Sequence, residues 1–460
     1  MWQNYTENAK KILRLSAPIF ISQLAASGMG VADIIMAGLV SDVDVSAIAV
    51  SNSIYFPLFI FVLGILNAIT PTVSYLNGSG RRHLIAHQVR QGVWIVLFLS
   101  IPLLLVYLNS HLILSFMHTP TAFSTKAQDY LFALCFGLLP ALLSVNLRCM
   151  NDGLSNPKPA MVITFLGLIL NVILNYVFIF GKFGFPEMGA VGCGVATAIV
   201  NWVMFGLMLC YCYHTKSQRD LRLFEKWIEK PCKATLTKLI KLGLPIGFSV
   251  FTEVMLFSAS GLIISPLGAQ VVASHQAALQ TGSFFFMIPL SMSIAATILI
   301  GQTLGAKEIE KAKILSYHAM FTCAMIAIVM GVIIFLLKDS LPHLFTQEPT
   351  SLVIASNLLI FAAIFQIPDA LQVVCNGILR AYKFTKPTLI ITIICYWLIG
   401  IPFGYILAMT DWLVEPMAAA GFWVIFCLCL TLASVFLFTQ MRKIQSLPIE
   451  TQIQRLEAVK

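Results

Sequence analysis

Charge is scarce in this chain. Only 11% of its 460 residues are Asp, Glu, Lys or Arg, against 58% apolar residues, and the mean hydropathy is +0.88. A soluble globular chain carries about 25% charged residues. One water-facing core, or several soluble domains in a row, is therefore excluded as the host for this much apolar surface, and hydrocarbon is the solvent that fits. The signatures of soluble enzymes are also missing: there is no Walker A sequence, no nucleophile elbow and no His-Glu-x-x-His. The chain is expected not to be an enzyme, to carry no cofactor and to bind no ATP. The eleven cysteines show no metal-ligand spacing. Cys210 and Cys212 are one residue apart, too close for a zinc knuckle. Cys395, Cys427 and Cys429 lie in apolar runs, where packed thiols are expected.

Long apolar runs are what the chain has in abundance. A spanning helix needs about 20 apolar residues, and hydropathy predicts twelve spans, at 12–39, 45–76, 92–115, 126–147, 160–181, 188–214, 236–264, 270–303, 314–337, 350–380, 387–409 and 414–441. The expected fold is an all-α integral membrane protein. The first run follows a polar stretch, Gln3 to Lys11, and is long enough to span, so it is expected to stay in the mature chain.

With twelve spans both termini share one side, and the charges fall accordingly. That side holds Lys10, Lys11, Arg14, Arg81, Arg82, Arg90, Arg148, Lys158, Lys307, Lys311, Lys313, Arg380, Lys383, Lys386, the tail, and eight basic residues from Lys216 to Lys241. The other side holds only Lys126, Lys182 and Lys338. Positive-inside bias makes the basic side cytoplasmic. The net charge of +9 is then met by anionic membrane lipid, and no nucleic-acid partner is implied.

The two halves resemble each other. Leu15-Ser16-Ala17-Pro18-Ile19 recurs as Leu242-Gly243-Leu244-Pro245-Ile246, Asn156-Pro157-Lys158-Pro159 as Phe384-Thr385-Lys386-Pro387, and Met188-Gly189-Ala190-Val191-Gly192 as Met417-Ala418-Ala419-Ala420-Gly421, at offsets of 227 to 229 residues. Each half has six spans and so runs in the same direction, as in parallel repeats related by a pseudo-two-fold axis along the membrane normal. The expected division is a six-helix lobe at 1–214, a basic cytoplasmic linker at 215–235, a second six-helix lobe at 236–441 and a cytoplasmic tail at 442–460. Such an architecture suits alternating access. Gly78-Ser79-Gly80 and the Gly301 to Gly305 stretch are read as helix ends and tight turns, because the Lys-Ser/Thr ending of a phosphate loop is absent.

Of the 20 acidic residues, three are predicted to lie inside spans, Asp33, Glu253 and Asp369, and no basic residue is predicted to lie there with them. A carboxylate at the bilayer centre costs about 3 kcal/mol by insertion scales, so it takes up a proton or finds a cation. Aligning Pro18 with Pro245 sets Asp33 against Ser260 and Glu253 against Ala26, so the acids of the two equivalent helices sit two turns apart on one face. Glu253 and Asp369, if they converge, form a paired-carboxylate cation site for a proton or a monovalent metal ion. Asn171 and Asn175, four residues apart, present carboxamides on one helix face, suited to Asp33. Pro368 frees a backbone carbonyl one turn before it. His275 and Gln276 are candidates to support the second-lobe site. Phe284, Phe285 and Phe286 offer aromatic faces for an organic cation.

Several stretches resemble a known family. Gly28-Met29-Gly30-Val31-Ala32-Asp33-Ile34-Ile35-Met36-Ala37-Gly38, Leu76-Asn77-Gly78-Ser79-Gly80-Arg81-Arg82, Gly192-Cys193-Gly194-Val195-Ala196-Thr197-Ala198 and Gly377-Ile378-Leu379-Arg380 look like the corresponding segments of multidrug and toxic compound extrusion (MATE) transporters of the NorM-type branch. The resemblance covers nearly the whole chain. It implies a multidrug efflux antiporter in a bacterial inner membrane, expected to act as a monomer. Na⁺, or H⁺ as the alternative, would enter in exchange for cationic drugs such as fluoroquinolones and dyes. It implies a coupling-cation site (Na⁺, if sodium is the ion) at Glu253 and Asp369, and an important acid at Asp33 with Asn171 and Asn175 as neighbours. One departure is visible: the branch commonly has Tyr four residues before the tenth-span acid, where this chain has Phe365. A lipid-linked precursor flippase of related fold is the alternative function; its usual basic cavity is at odds with in-span charges that are all acidic.

Overall fold

The computed structural model describes residues 2–116, 121–226, 229–346 and 348–458. Trp227 and Ile228 of the expected linker, and the last two residues of the expected tail, lie outside the described residues. Twelve helices are long and apolar enough to cross a membrane: α1 Tyr5–Gly38, α2 Asp42–Gly78, α3 Arg82–Leu108, α4 Ser124–Gly153, α5 Lys158–Ile179, α6 Ala190–His214, α7 Lys233–Leu267, α8 Ala269–Gly305, α9 Ile309–Leu336, α10 Pro349–Ala381, α11 Lys386–Met409 and α12 Ala419–Gln445. A last helix, α13 Ile449–Ala458, follows. α2 is interrupted at Asn67 and Ala68 and resumes at Ile69. This is a multi-pass, all-helical membrane protein, and among the described residues no strand occurs.

The helices are apolar on every side, so burial does not sort polar from apolar as it does in water. In α3, Ile95, Leu103 and Tyr107 are buried, while Phe98, Ile101 and Leu105, equally apolar, are exposed by 54%, 56% and 58% on the other face. That face is a lipid surface. Where helices touch, small residues bring backbones together. A Cβ on Gly137 would stand 2.7 Å from Ala198 Cα, joining α4 to α6.

Compact packing divides the chain into two units, Pro18–Gly243 on the one hand and Met1–Ala17 with Leu244–Lys460 on the other. In the first unit, buried Ile48, Ile65, Leu66, Val96, Leu131 and Leu138 form the core of α2, α3 and α4. The basic linker belongs to this unit and is strapped beneath α3. Arg82 Nε donates to Asp220 Oδ2 at 2.6 Å and Arg90 Nε to Glu229 Oε2 at 2.6 Å. The Trp94 indole donates to the Glu229 carbonyl at 2.8 Å, and Gln91 Nε2 to the Lys230 carbonyl at 3.0 Å. Partial burial pushes the Glu229 carboxyl up, but hydrogen bonds with His87 and Arg90 more than offset this and hold it below the usual carboxylate range. These contacts explain why the third helix begins at Arg82 and not near residue 92, as hydropathy predicts: its polar first turns are stabilised by the linker. In the second unit, Tyr5 packs edge-on against His318 and Phe321, and Asn8 Nδ2 lies 3.0 Å from His318 Nδ1, which ties the start of α1 to α9. At the other end of the chain, Lys383 Nζ donates to the Leu456 carbonyl at 3.2 Å and fastens α13.

The repeat is written in the backbone of the turns. Gly80 and Lys307, Ser155 and Lys383, and Gly189 and Ala418 form three pairs at the sequence offsets already noted, and all six have positive φ, between 51° and 71°. The last glycine of each copy of the third anchor backs onto the end of the preceding span: a Cβ on Gly192 would stand 2.7 Å from the Phe178 carbonyl carbon, and one on Gly421 2.7 Å from Ala408 N. Met188 N donates to the Phe178 carbonyl at 3.1 Å, and Met417 N to the Leu407 carbonyl at 2.9 Å.

Candidate functional site

α1 carries Asp33 and α5 carries both asparagines. The four-residue spacing stacks the two carboxamides on one helix face, and that face meets Asp33. Asn175 Nδ2 donates to Asp33 Oδ1 at 2.6 Å, and Asn171 Nδ2 to the same oxygen at 3.2 Å. Asn175 also donates to Asn171 Oδ1 at 3.2 Å, which fixes the pair's orientation. Thr197 of α6 donates to Asp33 Oδ2 at 3.4 Å. Asp33 is 7% exposed and both asparagines are fully buried. The carboxylate thus sits in a neutral cage of three donors with no fixed cation among them. Thr197 is absent from the sequence-based set, because a lone hydroxyl on an apolar span carries no spacing signal.

The acids of the second unit are differently placed. Asp369 on α10 is 5% exposed, Glu253 on α7 is half-buried, and the two lie within electrostatic reach of each other. Among the described residues neither accepts a hydrogen bond. Around them polar atoms stand without partners: both side-chain atoms of Gln366, the Tyr396 hydroxyl, Ser249 Oγ, Gln372 Oε1 and Asn376 Oδ1. Gln366, Asp369, Gln372 and Asn376 share one face of α10 by their spacing. Phe365, one turn before Asp369, stacks on Trp423 with ring centroids 5.6 Å apart.

Arg380 stands in the last turn of α10, where hydropathy ends that span, and is within electrostatic reach of Glu253. His275 bonds to other partners: its Nδ1 accepts from the Trp423 indole at 3.0 Å and its Nε2 lies 3.0 Å from Ser260 Oγ. Ser260 is the repeat partner of Asp33, so His275 holds the second unit's counterpart of that position. Gln276 is exposed beside Gly261, and none of the described contacts joins Phe286 to Glu253 or Asp369. Phe284 is 52% exposed.

Two carboxylates that hydropathy reads at span ends are buried. Asp152 is 7% exposed near the end of α4. Asp44 is fully buried in the first turn of α2, bonded by Lys126 Nζ at 2.9 Å, by the Ala190 backbone N–H at 2.9 Å and by Ser41 Oγ at 2.5 Å. The Ser41-x-x-Asp44 capping pattern is the signal that marks it. Among the described residues no group of three or more His, Cys, Asp or Glu converges on one metal position.

Twelve apolar helices with carboxylates buried among them define a polytopic membrane transporter. The chain belongs to the MatE family: the MatE model matches residues 18–177 and again 245–406, once in each half. It is 65% identical over 459 residues to a Haemophilus ducreyi protein named "Probable multidrug resistance protein NorM", covering 100% of this chain and 99% of that one. It is 43% identical over 454 residues to the Yersinia pseudotuberculosis "Multidrug resistance protein MdtK", covering 98% and 99%. In fold it resembles the eukaryotic MATE transporter AtDTX14, with a TM-score of 0.90 at 20% identity over 99% and 100% of the two chains. The Vibrio cholerae MATE transporter VcmN in its bent form gives a TM-score of 0.84 at 16% identity over 98% and 99%.

Proposed function

We propose that this chain is a secondary antiporter that exports cationic amphipathic drugs, fluoroquinolones and dyes among them, in exchange for Na⁺ or H⁺ by alternating access. The observation that carries this reading is the pair of half-buried Glu253 and buried Asp369, set in apolar spans and accepting no hydrogen bond among the described residues. The full-length likeness to proteins named for multidrug resistance supports the drug substrate. The bias of basic residues supports an inner-membrane location with both termini cytoplasmic. Glu253 and Asp369 bind the coupling cation, and Asp33 with Asn171 and Asn175 forms a separate proton or drug site. The lobes at 1–214 and 236–441 are the alternating parts, and a monomer suffices. A cation entering down about 100 mV gains roughly 2.3 kcal/mol from the potential alone. A site occupied alternately by ion and drug converts that gain into export.

The test is drug efflux from proteoliposomes with Na⁺ and pH gradients imposed separately. Asp369→Asn and Glu253→Gln are each expected to abolish exchange while still inserting into the membrane. Normal export by both neutral variants would overturn the mechanism.

A further inference from the structure

The spans that precede the two copies of the third repeat anchor are the shortest of the twelve. α5 has 22 residues and α11 has 24, against 25 to 37 for the others. At the helical rise per residue they measure about 33 and 36 Å, little more than the roughly 30 Å of a bilayer's hydrocarbon core. The loops that follow therefore leave their helices at the level of the lipid headgroups. Both loops turn apolar side chains outward there. Phe183 is 86% exposed and Trp412 77%, and Phe185, Leu413 and Val414 beside them are exposed as well. Phe183 and Trp412 are repeat partners, at the offset that relates Met188 to Met417. Among the described residues neither side chain makes a ring contact or a hydrogen bond. Charge flanks both tips, Lys182 and Glu187 the first, Asp411 and Glu415 the second.

The tips are held firmly. In the first unit, Lys182 N donates to the Val177 carbonyl at 2.9 Å and Gly189 N to the Ile179 carbonyl at 3.3 Å, so both ends of the loop are pinned to the end of α5. A Cβ on Gly181 would stand 2.6 Å from Glu187 N, which shows how tightly the loop folds back. In the second unit, Thr410 N donates to the Ile406 carbonyl at 3.2 Å and Met417 N to the Leu407 carbonyl at 2.9 Å. Phe183 itself holds φ of 57°, a conformation that glycine or asparagine adopts at less cost. An aromatic ring kept in such a conformation with no partner in the chain is a strain that a contact outside the chain offsets.

We propose that the Phe183 and Trp412 tips are a duplicated pair of interfacial anchors, each seated in the headgroup and upper acyl region of the leaflet opposite the basic linker. Aromatic rings favour that boundary. The contact is apolar and not ionic, because the two loops carry one basic residue, Lys182, and three acidic ones, Glu187, Asp411 and Glu415. Uncharged lipid therefore suffices as the partner. Seated rings fix the depth and tilt of the short helices they end. α5 carries Asn171 and Asn175, so its anchor also sets the depth of the cage around Asp33.

The experiment reconstitutes the full-length protein in phosphatidylcholine vesicles whose lipid is brominated either near the headgroup or near the chain end. Tryptophan emission is recorded, and the difference between the parent and Trp412→Phe isolates Trp412. Adding Phe183→Trp to Trp412→Phe moves the reporter to the first loop. Each reporter is expected to lose about half of its emission to bromine near the headgroup, and little to bromine at the chain end or to aqueous iodide on both sides. Quenching by iodide and not by brominated lipid sets the tips in water and overturns the proposal. Quenching by neither, as when a protein or a second copy covers the tips, overturns it too. One reporter in lipid and the other in water overturns the duplicated role. If the Phe183→Trp chain fails to fold, the Trp412 difference decides alone.

Discussion

The two units treat their carboxylates differently. In the first, the chain itself solvates two of its three buried acids: Asp33 receives two carboxamides and a hydroxyl, and Asp44 an ammonium, a backbone N–H and a hydroxyl, while Asp152 has only the charge of Arg148 within reach. In the second, Glu253 and Asp369 receive nothing, and nearby polar atoms are equally unprovided for. The difference separates a site whose polar groups the folded chain satisfies from one where it leaves them open. It extends to matching positions of the repeat, where Asp152 in one half answers to Arg380 in the other.

Three substitutions test this contrast through the free energy of unfolding in mixed micelles. The largest effect is expected from Asp44→Ala, which leaves the buried Ala190 N–H without an acceptor and removes the bonds of Ser41 and Lys126, and is expected to cost about 3 kcal/mol. The double change D44N/K126M is expected to recover most of that loss, since the carboxamide oxygen still accepts from Ala190. Next, Asn175→Leu takes away the 2.6 Å donor to a buried carboxylate and is expected to cost about 2 kcal/mol. The smallest effect has the opposite sign. Gln366→Leu removes two buried atoms without partners and is expected to raise stability by about 1 kcal/mol in the absence of Na⁺. Equal losses in Asn175→Leu and Gln366→Leu would erase the distinction between the two sites. Opposite signs would sharpen it into a trade of stability for binding.

Much of this was legible in the sequence, for reasons that differ from place to place. The spans were legible because lipid demands runs of apolar residues whatever the packing. Asp33 with Asn171 and Asn175 was legible because an acid in such a run is costly and a four-residue spacing aligns two carboxamides. The limits of α3 were not, because its polar start is stabilised by linker residues more than a hundred positions away. Arg380 was read as the edge of a span because hydropathy cannot tell the last turn of a long helix from a loop. The partners of His275 were not legible because its residue type fits a cation site as well as it fits a bond to Trp423. Tyr396 and Gln366 carried no signal, since lacking a partner is a property of the folded chain alone.

The turn shared by Gly189 and Ala418 has a consequence for the ancestry of the chain. Both residues hold left-handed backbone, with φ of 54° and 51°. At Gly189 a methyl group would strike Asp44 Oδ1 at 2.5 Å, so glycine is required twice over, by conformation and by space. The repeat partner carries alanine and bears the local strain of that conformation. A conformation kept where the side chain no longer favours it is best understood as inherited. Duplication of an ancestral half fixed the course of the backbone, and the side chains of the two copies have since drifted to different work.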